Sequence, residues 1–230
     1  MNTNDSHTWG GSTTRRNLTK AVAGGLGIVI AGGIGTMAGS RPVAAVTDMN
    51  AFNADDVIIN DDITQIDTVT VRPTFGDPTD HILNPGLSWG SFSNGVNKIS
   101  LEFSVWTEND PMASATLYKV DDLTTPGNEA DVAAYDGDDL SLKNGDAAFE
   151  LVQKDIIADT GSEISQSDFP QNVSDGESDD TTVTLDVAIE IHGEGDNAKV
   201  TNQESFAVGI DNPMTDGGTD GDANTDATGS

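Results

Sequence analysis

The stretch TTVTLDVAIEIHGEGDNAKVTNQESFAVGI, residues 181–210, decides the fold, because apolar and polar side chains alternate through both of its halves. Apolar side chains recur at every second position of residues 181–192, and the pattern returns in phase over residues 198–210. A period of two places these side chains on one face of a β-strand. The intervening GEGDN, residues 193–197, supplies turn residues, so the stretch predicts a long β-hairpin with one buried face.

The same alternation appears in NKISLEFSVWT, residues 97–107, where Ile99, Leu101, Phe103 and Val105 share one face. No window of a dozen residues has a helical period, and the connections are rich in Asp, Asn, Gly and Pro. About eight strands are expected in total. The remaining candidate strands are residues 57–59, 65–73, 86–92, 114–120 and 147–157, with connections at 77–86 and 121–139 and a polar loop at 159–180.

Closely spaced strands with polar turns, and no helix long enough for a parallel crossover, predict an all-β fold. We expect a single antiparallel β-sandwich over residues 46–212. The pattern is similar to the immunoglobulin-like domains of cell-surface proteins, which often end in such a hairpin. That resemblance implies an immunoglobulin-like sandwich, although the chain has no cysteine and lacks the Cys and Trp core of antibody domains.

The first 45 residues have the composition of an export signal. Arg15, Arg16 and Lys20 precede residues 21–39, which contain only aliphatic residues, methionine, glycine and one threonine. A cationic region followed by an apolar region predicts a signal peptide over residues 1–45. The stretch TRRNLTK resembles the twin-arginine export signal, apart from a threonine at the second apolar position. This resemblance implies that the twin-arginine translocase exports the chain already folded.

Signal peptidases require small side chains just before the cleavage site. This requirement predicts cleavage after Ala45, with residues 38–40 as the alternative. The competing interpretation retains residues 21–39 as a membrane anchor, since a run of this length nearly crosses the ~30 Å apolar slab. Each glycine in the run weakens a helix by roughly 1 kcal/mol relative to alanine, which favours cleavage.

At the other end of the sequence, the composition of residues 213–230 predicts a disordered acidic tail.

The chain carries a formal net charge of −29. Four of its ten basic residues and one acidic residue lie in residues 1–45, which leaves six basic against 38 acidic residues, a net charge of −32. Self-repulsion of this size destabilises a compact state unless salt shortens the Debye length to roughly 3 Å at 1 M. The composition resembles that of haloarchaeal proteins. No partner of nucleic acid or anionic lipid is expected, because both require clustered Lys and Arg.

Residue types that carry catalysis are scarce beyond the predicted signal. His81 and His192 are the two histidines left, and without cysteine the usual set of three or four zinc ligands is not expected. We interpret His192 as a solvent-facing strand residue and His81 as a structural loop residue. No serine lies in an elbow motif after a strand. We therefore expect a non-enzymatic protein, with a hydrolase that uses paired carboxylates as the alternative.

An acidic loop, YDGDDLSLKNGD at residues 135–146, offers several oxygen ligands. Calcium binds carboxylate and carbonyl oxygens, so Ca²⁺ is the candidate metal, and no other cofactor is expected. The EF-hand register is broken, and acidic solvation of the surface explains the same composition. The candidate ligands are Asp136, Asp138, Asp139, Asn144 and Asp146.

Two further features concern sugars. Asn172 begins the sequence NVS and is an N-glycosylation acceptor by pattern. Trp89, Trp106 and Tyr118 are aromatic residues of the kind that stack on sugar rings, but such side chains are more often buried at least in part. We expect Trp89 in the core and Trp106 exposed near a strand end.

These observations predict an exported cell-surface or secreted domain with a structural or interaction role, whose partners are envelope proteins or copies of itself. Membrane contact is expected only through residues 21–39 if they stay uncleaved, with the domain outside. One alternative is a secreted hydrolase or a calcium-dependent ligand-binding module. Another is a surface filament subunit, in which a free strand such as residues 57–73 completes the sheet of a neighbour.

Overall fold

The computed structural model describes residues 42–50, 57–59, 64–124 and 131–212. The described chain is all-β, with one short helix, α1, and a 3-10 turn at Gln166–Asp168. The elements are β1 Val43–Val46, β2 Val57–Ile59, β3 Ile66–Val71, β4 Thr74–Phe75, β5 Leu87–Gly90, β6 Val96–Thr107, β7 Asp110–Val120, β8 Val132–Gly137, β9 Gly145–Leu151, β10 Lys154–Asp155, α1 Ile156–Asp159, β11 Glu177–Gly193 and β12 Asn197–Asn212.

Four long strands form the main sheet, in the order β12-β11-β6-β7. The predicted hairpin is confirmed, since β11 and β12 pair antiparallel from Glu177↔Asn212 to His192↔Asn197. The predicted alternation is confirmed as well, because the inward apolar side chains are at most 3% exposed. They are Ile99, Leu101, Phe103 and Val105 in β6, and Val183, Leu185, Val187, Ile189 and Ile191 in β11. We call the opposite side of this sheet the outer face.

The remaining strands form two smaller sheets, in which every strand pair is again antiparallel. One sheet has the order β1-β5-β9-β4, with β8 also paired to β9, and the other has the order β10-β3-β2. Aromatic side chains join these strands to the main sheet. Phe75 stacks on Phe149 with 4.3 Å between ring centroids, and it meets Phe103 of β6 at 5.8 Å. The apolar faces thus share one core, which is consistent with the expected sandwich.

The two tyrosines of the chain occupy contrasting positions. The hydroxyl of Tyr118 in β7 donates to the carbonyl oxygens of Val71 at 3.0 Å and Val152 at 2.8 Å, so it ties the main sheet to the end of β3 and the segment after β9. Burial raises the pKa of Tyr118. The hydroxyl of Tyr135 in β8 is also buried but has no hydrogen-bond partner, and burial raises its pKa to about 12.

Two of the predicted boundaries are wrong. The connection expected over residues 121–139 contains β8, which pairs with β9 along an edge where the acidic and small residues conceal the alternation. The single strand expected over residues 147–157 ends at Leu151 and is followed by β10 and α1. Helix α1 starts there because the Asp155 carboxylate accepts a hydrogen bond from the Ile157 backbone N–H.

Within the segment proposed as a free strand, residues 57–73, the described strands β2 and β3 pair with each other. Strand β3 lies between β10 and β2, and the side chains of Ile66, Val69 and Val71 are fully buried. Its donation to a neighbouring molecule would require the three-stranded sheet to come apart. Strand β2 lies at the edge of this sheet, and the filament subunit stays a prediction.

The N-terminal side of the domain extends beyond the expected boundary at residue 46. Ala45 lies within β1 and pairs with Ser88, while Ala44 and Val46 are buried. A cut after Ala45 would remove three of the four residues of β1, so the alternative at residues 38–40 agrees better with the fold. The signal residues Arg15, Arg16 and Lys20, the apolar run and the tail at 213–230 lie outside the described residues.

None of the helices in the described ranges has the length and apolarity needed to cross a membrane.

Candidate functional site

The acidic loop predicted as a calcium site is engaged by a histidine. His81, from the loop between β4 and β5, is 8% exposed, and its Nδ1 lies 2.8 Å from Asp136 Oδ2. Its Nε2 lies 3.3 Å from Asp138 Oδ1, and its backbone N–H also donates to Asp136. A neutral imidazole has a single N–H, so only the protonated ring donates to both carboxylates.

Hydrogen bonding to Asp136 raises the pKa of His81 and lowers the pKa of Asp136. Through these contacts His81 holds the 77–86 loop against the end of β8, a role that the sequence did not indicate. His81 and Asp136 are 55 positions apart, and no local pattern connects them.

The other predicted ligands point to separate partners. Asp139 accepts the backbone N–H of Ser141, and this contact lowers the pKa of Asp139. Asp146 accepts the hydroxyl of Ser88 at 2.5 Å, and the Asn144 side chain accepts the backbone N–H of Ser91. Over the ranges that the structure describes, no three His, Cys, Asp or Glu side chains are placed to hold a metal ion. The predicted calcium ligands are thus close in sequence but do not converge.

A second group of polar residues crosses the middle of the outer face. Trp106 of β6 is half-buried, and its indole Nε1 donates to Asp186 Oδ2 of β11 at 2.9 Å. Gln203 of β12 donates to the other oxygen of Asp186 at 2.6 Å. Beside them, the hydroxyls of Thr184 and Ser205 lie 2.9 Å apart. We call Trp106, Asp186 and Gln203 the Trp106 network; it holds the indole across the strands.

Further along the same face lies a depression of about 280 Å³ that contains three lysines. We call it the lysine depression. Its lining includes the lysines Lys98, Lys119 and Lys199, the carboxylates of Glu102, Asp121 and Glu190, and His192, with Ser100 and Ala188 among them. Half of the six basic residues beyond residue 45 therefore lie in one place on a strongly acidic chain.

Two of these lysines form cross-strand ion pairs: Lys119 with Glu102 at 3.5 Å and Lys199 with Glu190 at 3.3 Å. Lys98 lies opposite His192 in the ladder and has no ion pair or hydrogen bond within the described part of the chain. One ammonium in the depression is thus left for a ligand.

The depression also contains a serine and histidine pair that the sequence did not reveal. Ser100 Oγ lies 3.0 Å from His192 Nε2, and Glu190 Oε2 lies 3.8 Å from the same nitrogen. A serine hydrolase requires the carboxylate at the other ring nitrogen, together with N–H donors for the oxyanion. Strands β6 and β11 lie inside the sheet, where backbone N–H groups are used in the ladder. The described residues around Ser100 and His192 therefore do not reproduce the geometry of a serine hydrolase.

No family model, curated protein or solved structure matches this chain. Its function is consequently argued from the geometry of its own residues.

The other predicted sugar-related residues are placed as follows. Trp89 is 4% exposed and belongs to the core, as expected, and Tyr118 is buried at the joint between sheets. Asn172 is exposed in the loop before β11 and adopts a φ of 56°. The intervening Val173 is anchored, because its backbone N–H donates to the carbonyl oxygen of Thr64. The acceptor side chain is thus accessible in the folded protein.

Proposed function

We propose that the chain is an exported cell-surface or secreted protein of a halophile, which acts by binding rather than by catalysis. The observation that carries this proposal is the outer face, where a half-buried tryptophan and a lysine depression lie on one rigid sheet. Rigid, largely preformed surfaces with a few placed polar groups are suited to recognition. We further propose that the domain is an immunoglobulin-like sandwich.

The environment that we propose for the protein is saline and outside the cytoplasm. A net charge of −29 with six basic residues beyond the leader agrees with a protein kept compact by concentrated salt. The leader agrees with export through the twin-arginine translocase, and the accessible Asn172 agrees with a glycan on an exterior surface. Envelope proteins or copies of the same chain remain the proposed partners.

Intact-mass spectrometry of the native protein from cytoplasm, membrane and medium tests this localisation. We expect a chain that is cleaved before Val43 in the membrane or medium fraction, with added mass on Asn172. Retention of the full leader in the membrane fraction would instead support the anchor at residues 21–39. A full-length chain in the cytoplasm alone, folded equally well in dilute buffer, contradicts the proposal.

A secreted hydrolase is the second candidate, because Ser100 and His192 lie at hydrogen-bond distance. This candidate predicts turnover of ester or glycoside panels in molar salt that is lost in both Ser100→Ala and His192→Gln. It also predicts covalent labelling of Ser100 by a fluorophosphonate. Turnover that depends on both residues would establish catalysis and overturn the binding role, whereas its absence with retained ligand binding supports the binding role.

A further inference from the structure

We propose that the outer face of the main sheet binds an acidic polysaccharide, with one sugar ring stacked on Trp106 and the acidic groups of the glycan in the lysine depression. This inference rests on the proposed binding role of the face and assigns its ligand class. The site is composed of the Trp106 network and the lysine depression.

The Trp106 network provides a flat apolar surface next to hydrogen-bonding groups. Because Asp186 accepts the indole N–H, the ring lies across the strands instead of extending into solvent. Indole rings combine a large apolar area with few rotatable bonds, and a fixed ring loses little conformational entropy on binding. The exposed Gln203 and the partly exposed hydroxyl of Ser205 lie on the same face, at positions suited to the hydroxyl groups of a sugar, whereas Thr184 is buried and holds Ser205 in place.

The lysine depression lies along the strands from Trp106. Trp106 pairs with Thr184, and Lys98 pairs with His192, eight residues further along β11. At ~3.4 Å per residue the two ends of the site are about 27 Å apart, which suits an oligosaccharide rather than a single sugar. The unpaired ammonium of Lys98, with the half-exposed ammonium of Lys199, provides charge for the carboxylate or sulfate groups of such a chain.

The mixture of charges on the face favours a glycan over single-stranded nucleic acid, which also stacks on aromatic rings. Asp186, Glu102 and Glu190 lie among the lysines and would repel the closely spaced phosphates of a nucleic acid. The same carboxylates accept hydrogen bonds from sugar hydroxyls. A ligand with many hydroxyls and fewer, separated anionic groups therefore matches the face better.

The test is calorimetric titration of the folded protein in 1 M and 3 M salt with a defined hyaluronan oligosaccharide, in which a carboxylate occurs on every second sugar, and with a neutral chitin oligosaccharide of equal length. Trp106→Ala is expected to weaken binding of both sugars by about tenfold, whereas Trp106→Phe retains most of the stacking and most of the affinity. Lys98→Gln combined with Lys199→Gln is expected to weaken only the acidic sugar, by roughly two- to fivefold per lysine, with a smaller effect at 3 M. Lys143→Gln removes one exposed charge away from the face and is the matched control.

Equal effects of the Lys143 control and the Lys98 and Lys199 variants on the acidic sugar would overturn the assigned site. Tighter binding of an oligonucleotide than of the hyaluronan oligosaccharide, with the same dependence on Trp106, would overturn the ligand class. Failure of both sugars to bind overturns this inference alone, since the proposed export is tested separately by mass spectrometry and catalysis by the turnover of ester and glycoside panels. If Trp106→Ala does not fold, Trp106→Phe and chemical-shift mapping of the indole N–H decide whether sugars meet this ring.

Discussion

Replacement of Tyr118 by phenylalanine should destabilise the protein because it removes the hydroxyl group of this side chain. The variant keeps the ring, which packs 5.7 Å from Phe103 and 5.2 Å from the ammonium of Lys154, and removes only the hydroxyl. The carbonyl oxygens of Val71 and Val152 then lose the donor that they share. An unsatisfied buried polar group costs about 1–3 kcal/mol, and a loss of this size lowers the melting temperature by roughly 2–4 °C per kcal/mol in a domain of this length.

Tyr135→Phe is the matched control, because the hydroxyl that it removes is buried and has no partner in the described structure. That variant should be neutral or slightly stabilising, since no hydrogen bond is lost and one unsatisfied group disappears. Both variants are compared by urea unfolding in molar salt, followed by tryptophan fluorescence. The midpoint for Tyr118→Phe should fall while the m-value stays constant. Equal midpoints for the two variants would refute the assignment of Tyr118 as the joint between the sheets.

Four further results are expected. The pKa of His81 is raised in the folded protein, so its stabilising contribution is fully present below the ordinary pKa of ~6.5 and is lost as pH rises through the folded value. His81→Gln should therefore remove this decline in the free energy of unfolding. His192→Gln is the control and should retain the decline. The pKa of Asp136 is lowered in the folded protein, so its stabilising contribution is present above the ordinary pKa of ~3.9 and is lost as pH falls through the folded pKa. Chemical denaturation from pH 3 to 9 should therefore show a maximum in the free energy of unfolding between these limits. A flat profile would contradict the contact between His81 and Asp136. Phe103→Ala should cost about 3–5 kcal/mol in urea unfolding because the ring is fully buried, and a loss below 1 kcal/mol would contradict its place in the core. Gly86→Ala should fail to form the native fold, because an added Cβ would lie 2.1 Å from the backbone of Phe75; a native circular dichroism spectrum would argue against this close approach.

The main sheet was predictable because its physical signal is local. In β6 and β11 one face is buried and the other is solvated, and the period of two follows directly from that difference. Strand β8 has no such contrast: its residues after Val132 are partly exposed on both sides, so the sequence resembles a polar connection. The place of Ala45 in β1 was hidden for a related reason, since small residues suit both a peptidase cleft and an edge strand.

The candidate site was less predictable because it depends on strand order. The outward positions of Lys98 and His192 follow from alternation, yet only the pairing of β6 with β11 brings the two side chains together. Lys119 and Lys199 join them through two further pairings. The calcium site was predicted because its candidate ligands are close together in the sequence. In the fold, Asp136 and Asp138 instead contact His81, which is far from them in the sequence.

The main sheet consists of two hairpins, β6 with β7 and β11 with β12. The two hairpins join through the antiparallel pairing of β6 with β11, in which Ile99 lies opposite Ile191. Each hairpin brings near neighbours together, but their union pairs residues that are at least 76 positions apart, as in Val183↔Thr107, and pairings of such range slow the folding of β-proteins. Nascent chains therefore pass through a period in which both hairpins expose unpaired edges to one another and to other molecules. The carboxylates at the start of strand β11, such as those of Asp179 and Asp180, would repel identical chains during that interval and so limit aggregation before the sheet is complete.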